Sequence, residues 1–150
     1  MRRKMKSRTR QFLSRIFLVD SIWNGRLPWL EHHDETEGFT LQKQSLDALG
    51  RKHLKQARAS SARRSSETVF GGHEHVLRQT LMALIAGTIM GEHESPGEAT
   101  IHVLSGRILV TAGVDSWEGR NGDIIIIPPL RHDLQAIVDS VVLLTVAKRV

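Results

Sequence analysis

From Thr68 to Lys148 the chain is a series of short, β-type runs, most of them closed by glycine or proline, and this rhythm limits the fold more than any other feature. Thr68–Phe70 leads into Gly71-Gly72, Val76–Ala86 into Gly87, Ala99–Leu104 into Ser105-Gly106, and Arg107–Thr111 toward Gly113. Ser116–Glu118 stops at Gly119 and Asp123–Ile127 at Pro128-Pro129, while Asp139 divides His132–Val138 from Ser140–Lys148. At near-regular spacing such runs predict the strands of an all-β sandwich or barrel. Ile124–Ile127 is unbroken apolar sequence, the pattern of a strand covered on both sides.

Upstream the period changes. Between Leu41 and about Ala59, Leu46, Leu49, Leu54 and Ala57 share one face, and Lys43, Lys52, Lys55 and Arg58 serve as polar partners. This predicts an α-helix with Gly50 as its one weak point. Ser60–Ser66 reads as a linker. The expected division is an N-terminal extension over 1–40, helix and linker over 41–60, and a β-barrel over 67–150.

The net charge of +5 belongs mostly to the extension. Residues 1–30 carry eight basic side chains against Asp20, residues 31–40 carry four acidic ones, and the rest is close to neutral. Nucleic acid is therefore expected as a partner only through residues 1–40, where Phe12, Leu13, Ile16 and Phe17 also fall at helical spacing. A solvated terminal arm is the plainer reading. No apolar run reaches the length of a membrane span, and Ser14 and Arg15 interrupt the one stretch that resembles a secretory signal. A cytoplasmic protein is expected. The absence of cysteine excludes disulfides, thiolate metal sites and a cysteine nucleophile. No phosphate-binding glycine loop, Ser-His-Asp order, zinc-finger spacing or helix pair for DNA is evident.

Two segments carry more specific information. One is Gly91-Glu92-His93-Glu94-Ser95-Pro96-Gly97-Glu98, running on to Val103-Leu104-Ser105-Gly106; the other is Gly122-Asp123, Ile124–Ile127, Pro128-Pro129-Leu130-Arg131-His132. Together they resemble the two motifs of the cupin superfamily, over roughly Leu81 to Lys148. The resemblance implies a double-stranded β-helix, or jelly roll, here preceded by an N-terminal helix. In that family a His-x-His pair and a glutamate from one hairpin meet a histidine from a facing strand inside the barrel. Such a site suits iron, manganese, nickel or zinc.

The sequence departs from that pattern. His93 holds the first ligand position and His132 the last, one residue early; Ser95 stands where the second histidine belongs, and Ala99 where the glutamate belongs. Two registers are open for the strand after Pro96-Gly97. In one, Ile101 and Val103 point inward and only His93 and His132 remain, giving a pocket without a metal. In the other, a one-residue shift turns Glu98, Thr100 and His102 inward, and His93, Glu98, His102 and His132 form a metal site. The cofactor is accordingly none, or one divalent metal. Ser95, Thr100 and Arg131 are expected at the ligand pocket, Arg131 as a partner for a carboxylate at the mouth.

Other candidates carry less. His73 and His75 share a strand face but lack the downstream glutamate and turn, and read as a polar strand entry or dimer rim. His53 and His32-His33 are expected to be exposed, and Trp117 to be a packing residue. The favoured function is a small barrel holding a small organic ligand over a degenerate metal site. The alternatives are a metal-dependent oxygenase, isomerase or decarboxylase on a small polar substrate, and a ligand-sensing regulator using the basic arm. The resemblance also implies a homodimer paired through edge strands.

Overall fold

The computed structural model describes residues 42–95 and 97–148. The readings made for the basic arm, the Phe12–Phe17 helix and His32-His33 lie outside the described residues.

Helix α1 (Leu46–Ala59) begins where Ser45 caps it, its Oγ accepting from the Ala48 N–H at 3.2 Å. Asp47 in the first turn and Arg58 in the last complement the helix dipole. Gly50, the weak point in propensity, lies where the helix touches the sheet: an added Cβ would sit 3.1 Å from Val141 Cγ1. Close approach explains its place there.

Nine strands follow: β1 (Arg64–Phe70), β2 (Leu77–Leu84), β3 (Ile89–His93), β4 (Gly97–Ser105), β5 (Arg107–Ala112), β6 (Asp115–Arg120), β7 (Ile124–Ile127), β8 (His132–Ala136) and β9 (Ser140–Lys148). They form two antiparallel sheets, ordered β1-β2-β9-β4-β7 and β3-β8-β5-β6. This is the jelly roll that the motifs implied. The segment read as a linker already contains the start of β1, at Arg64.

Alternation along the strands builds two cores. Between the sheets lie Met82, Leu84, Ile101, Val103, Ile108, Val110, Ile125, Leu134 and Val142 among others. On the outer face of the five-stranded sheet, Leu81, Ala83, Ile85, Val141 and Leu143 meet Ala57, Leu46, Leu49 and Leu54 of α1. The helix thus buries the apolar outer face of the sheet over β1, β2 and β9. Beyond the helix, Ile124 and Ile126 are 63% and 78% exposed, while Ile125 and Ile127 are buried. The expectation of a β7 covered on both sides is corrected, since α1 lies over β1, β2 and β9 rather than β7. No helix among the described residues is long and apolar enough to cross a membrane.

Candidate functional site

The barrel has two ends, and the chemistry lies at the one where β3 and β9 finish and β2, β4 and β8 begin. There β3 and β8 pair antiparallel with His93 directly opposite His132. A bulge between Met90 and His93 brings the two imidazoles onto one face despite their odd spacing from the rest of the ladder. Their ring centroids are 4.6 Å apart with planes inclined at 55°. His132 is buried, at 6% exposure, and His93 opens to solvent.

Backbone carbonyls orient both rings. His93 Nδ1 lies 2.8 Å from the Gly91 carbonyl oxygen and His132 Nδ1 lies 3.0 Å from that of Leu130. A carbonyl only accepts, so each Nδ1 carries a proton, and in the neutral ring Nε2 is then the acceptor. The site therefore offers two hydrogen-bond acceptors held by the same device, a carbonyl two residues back.

The register of β4 decides what joins them. Gly97 pairs with Lys148 so closely that an added Cβ would lie 1.9 Å from the Ala147 carbonyl oxygen, so only glycine fits there. From that anchor, Ala99, Ile101 and Val103 point into the core. Glu98, Thr100 and His102 occupy the opposite face, paired with Ala147, Thr145 and Leu143 of β9. Glu98 and His102 do not join His93 and His132, because the shift that would turn them inward requires Gly97 to leave β9. Thr100 likewise faces an outer groove shared with Ile126 and Thr145 instead of the interior.

The remaining candidates sit at the rim. Ser95 donates its hydroxyl to the Gly97 carbonyl at 2.6 Å, which stiffens the β3–β4 turn. Arg131 is exposed and engaged with Glu92, whose carboxylate and carbonyl oxygens lie 3.3 and 3.1 Å away, and its Nη1 is 3.8 Å from Glu94. His75 meets Phe70 edge-on at 5.1 Å and Glu74 at 2.8 Å, and so belongs to the β1–β2 hairpin surface. Trp117, read as a packing residue, is exposed on edge strand β6.

Two imidazoles are a sparse donor set for a divalent metal. Among the described residues no cluster of three or more His, Asp or Glu side chains could hold one. The residues present therefore do not fit a tight metal centre of the family's kind.

Two cationic residues were missed in the sequence. On β2, Arg78 pairs with Val146 of the core, and Met82 and Leu84 on its face point inward, so Arg78 lies on the inner face. Lys148 continues the same face of β9, its Nζ donating to the Gly72 carbonyl at 2.9 Å. The period-two alternation of Arg78, Thr80, Met82 and Leu84 was the signal that could have found the arginine.

His53, expected to be exposed, is 4% exposed and corrects that reading. Its Nδ1 is 2.7 Å from Ser65 Oγ and its Nε2 is 2.9 Å from Glu67 Oε2, so it ties α1 to β1. The Lys52 ammonium and then the His53 hydrogen bond hold the Glu67 carboxyl below its ordinary range. Its hydrogen bonds join helix to strand, and its role is structural.

Neither a family model nor a curated protein matches the sequence. Solved structures do resemble the fold. A conserved protein of unknown function from Streptococcus pyogenes is 28% identical at a TM-score of 0.55, covering 61% of this chain and 79% of its own. A cupin superfamily protein from Desulfitobacterium hafniense is 15% identical at 0.53, covering 57% of this chain and 78% of its own. A cupin 2 conserved barrel domain protein from Leptotrichia buccalis is 21% identical at 0.54, covering 59% of this chain and 43% of its own. Motifs, strand order and these likenesses agree, and the chain is a cupin-fold protein with cupin superfamily and cupin-2 conserved-barrel proteins as its structural neighbours.

Proposed function

We propose that this chain is a binding module, a small cupin barrel that takes a small organic ligand at the mouth where His93 and His132 meet. The observation that carries this reading is the paired imidazoles, oriented by the Gly91 and Leu130 carbonyls so that both Nε2 atoms accept hydrogen bonds. Below them the interior side chains are apolar, so the polar groups that would orient a ligand lie at the rim. Pockets of this kind place a few oriented polar groups over apolar walls.

One observation favours a second reading. Histidines that ligate metals commonly donate their other ring N–H to a carbonyl, as both do here. A metal-dependent enzyme would need a third ligand supplied by the substrate or by residues beyond those described.

Melting curves separate the two readings. Manganese, iron, nickel or zinc at submillimolar concentration should leave the melting temperature of the wild type unchanged, whereas fragments that bind the mouth raise it through linkage. A metal-induced rise that disappears in both His93→Ala and His132→Ala would overturn the binding-module reading in favour of the enzyme.

The uncovered end of the five-stranded sheet supports pairing of two copies. Ile124 and Ile126 are exposed on edge strand β7, an arrangement that a second barrel would cover. The regulator reading rests on residues 1–40, which lie outside the described structure. It predicts DNA binding that weakens with salt and disappears when residues 1–40 are deleted.

A further inference from the structure

Among the described residues, the Nε of half-buried Arg78 is the one buried side-chain polar atom without a partner. Leaving a guanidinium N–H dry and unpaired is costly, so a native structure that keeps one calls for an acceptor from elsewhere.

Strand geometry places that donor on the inner face of the sheet opposite the one that bears the histidines. Met82 of β2 and Met90 of β3 line one cavity, of about 440 Å³, which marks these two strands as facing walls. Toward the mouth, Arg78 lies four residues from Met82 along β2, and His93 lies three residues from Met90 along β3. Both advance about 10–13 Å at the rise of a strand and reach a similar level. Facing sheets lie about 10 Å apart, a gap that an arginine from one wall and an imidazole pair from the other span, so a small ligand would meet both groups at the rim where the sheets end.

The charges at the mouth are complementary to an anion. Lys148 shares the inner face with Arg78. Of the carboxylates at this end, Glu92 and Glu94 pair with Arg131 and Glu74 with His75, while Glu98 and Asp133 lie on the outer faces of β4 and β8. The mouth thus has donors on the β2 side and acceptors on the β3–β8 side. A lone carboxylate would satisfy the first and be repelled by the two Nε2 lone pairs. A polyol would satisfy the second and leave Arg78 unpaired.

We infer that the ligand is a small hydroxy acid, its carboxylate held by Arg78 and its hydroxyl groups donating to Nε2 of His93 and His132. This rests on the binding-module reading and names its ligand class. It also moves anion recognition from Arg131, which is paired at the rim, to Arg78.

Three probes of similar length separate the contributions: gluconate, sorbitol without the charge, and hexanoate without the hydroxyls. Each is titrated into the full-length ¹⁵N-labelled protein while the Arg78 Nε–H and the two histidine side chains are followed by NMR. Gluconate should bind at least about tenfold more tightly than either analogue and shift the Arg78 Nε–H signal. Arg78→Gln should reduce gluconate to the affinity of sorbitol without altering sorbitol, Arg78→Lys should retain part of the gain, and Arg131→Gln should change gluconate affinity by less than about twofold. The wild-type Nε–H shift reports on the inference even if a variant misfolds. Sorbitol binding as tightly as gluconate, Arg78→Gln keeping gluconate affinity within twofold, or gluconate leaving the Arg78 Nε–H signal unmoved would each overturn it. If other fragments still shift His93 and His132 in any of those cases, the binding-module reading stands and only the ligand class falls.

Discussion

His132 is buried and His93, directly across the β3–β8 ladder, opens to solvent, with their ring centroids 4.6 Å apart. One imidazole is therefore fixed by the barrel wall and the other by little more than its bond to the Gly91 carbonyl. Long-range ¹H–¹⁵N spectra recorded at pH 8 should show both rings as the Nδ1–H tautomer. An Nε2–H tautomer at either ring would remove one of the two acceptors on which ligand binding depends.

His53→Ala should lower stability by about 1–3 kcal/mol, since it removes two hydrogen bonds between α1 and β1 and leaves Ser65 and Glu67 without them. Chemical denaturation measures this. α1 packs on the outer face of the sheet, opposite the face that bears Arg78, so ligand affinity should be unchanged. A loss under 0.5 kcal/mol would mean that the leucine face alone docks the helix.

Asp139 joins α1 to the β2–β3 turn. Its Oδ1 accepts from the Ala86 N–H at 2.9 Å and its Oδ2 from Arg58 at 2.9 and 3.2 Å. The backbone bond first, and then Arg58, hold its carboxyl below the ordinary 3.8. A depressed folded-state value means that this stabilisation is complete above about pH 4 and is lost as pH falls through the folded value. Asp139→Asn should therefore be less stable than the wild type at pH 7, by about 1–2 kcal/mol. The difference should shrink in acid melts between pH 4 and 2. A difference independent of pH would remove the carboxylate from the explanation.

Gly106 turns β4 into β5 with φ of +89°, and an added Cβ would lie 2.4 Å from both the Asp139 carbonyl oxygen and Ser140 Oγ. Gly106→Ala combines a left-handed backbone with a backbone clash, and should cost about 2–4 kcal/mol or prevent folding. Gly113, also at positive φ but with nothing within 4 Å, should tolerate alanine at the strain cost alone, about 1 kcal/mol. Equal losses at the two sites would show that the clash plays no part.

If the exposed isoleucines of β7 bury against a second copy, light scattering should report a dimer that becomes a monomer in the Ile124→Lys, Ile126→Lys double variant. A monomeric wild type at all accessible concentrations would refute the pairing.

The jelly roll was legible because glycine and proline mark its turns and because the two motifs lie in the right order. The meeting of His93 with His132 follows from the same motifs. The ligand set was not legible for a physical reason: alternation has a period of two, so a single residue gained or lost at Pro96-Gly97 exchanges the faces of β4. Ile101 and Val103 favoured the register that Gly97 enforces, since their side chains fill the core. His53 was misplaced because its partners come from β1, whose first residues, Arg64 to Ser66, look like a linker in composition. Arg78 went unremarked because a charged residue at the start of a strand is ordinarily solvated, although its period-two spacing from Thr80, Met82 and Leu84 sets it on the face that pairing with Val146 shows to be the inner one.

The most direct test is an NMR fragment screen on protein labelled at its histidine side chains. Compounds that raise the melting temperature should move the His93 and His132 signals together, and the His93→Ala, His132→Ala double variant should lose that binding by about tenfold or more. Stabilising compounds that leave both signals in place, or that bind the double variant unchanged, would contradict a ligand site at these two rings.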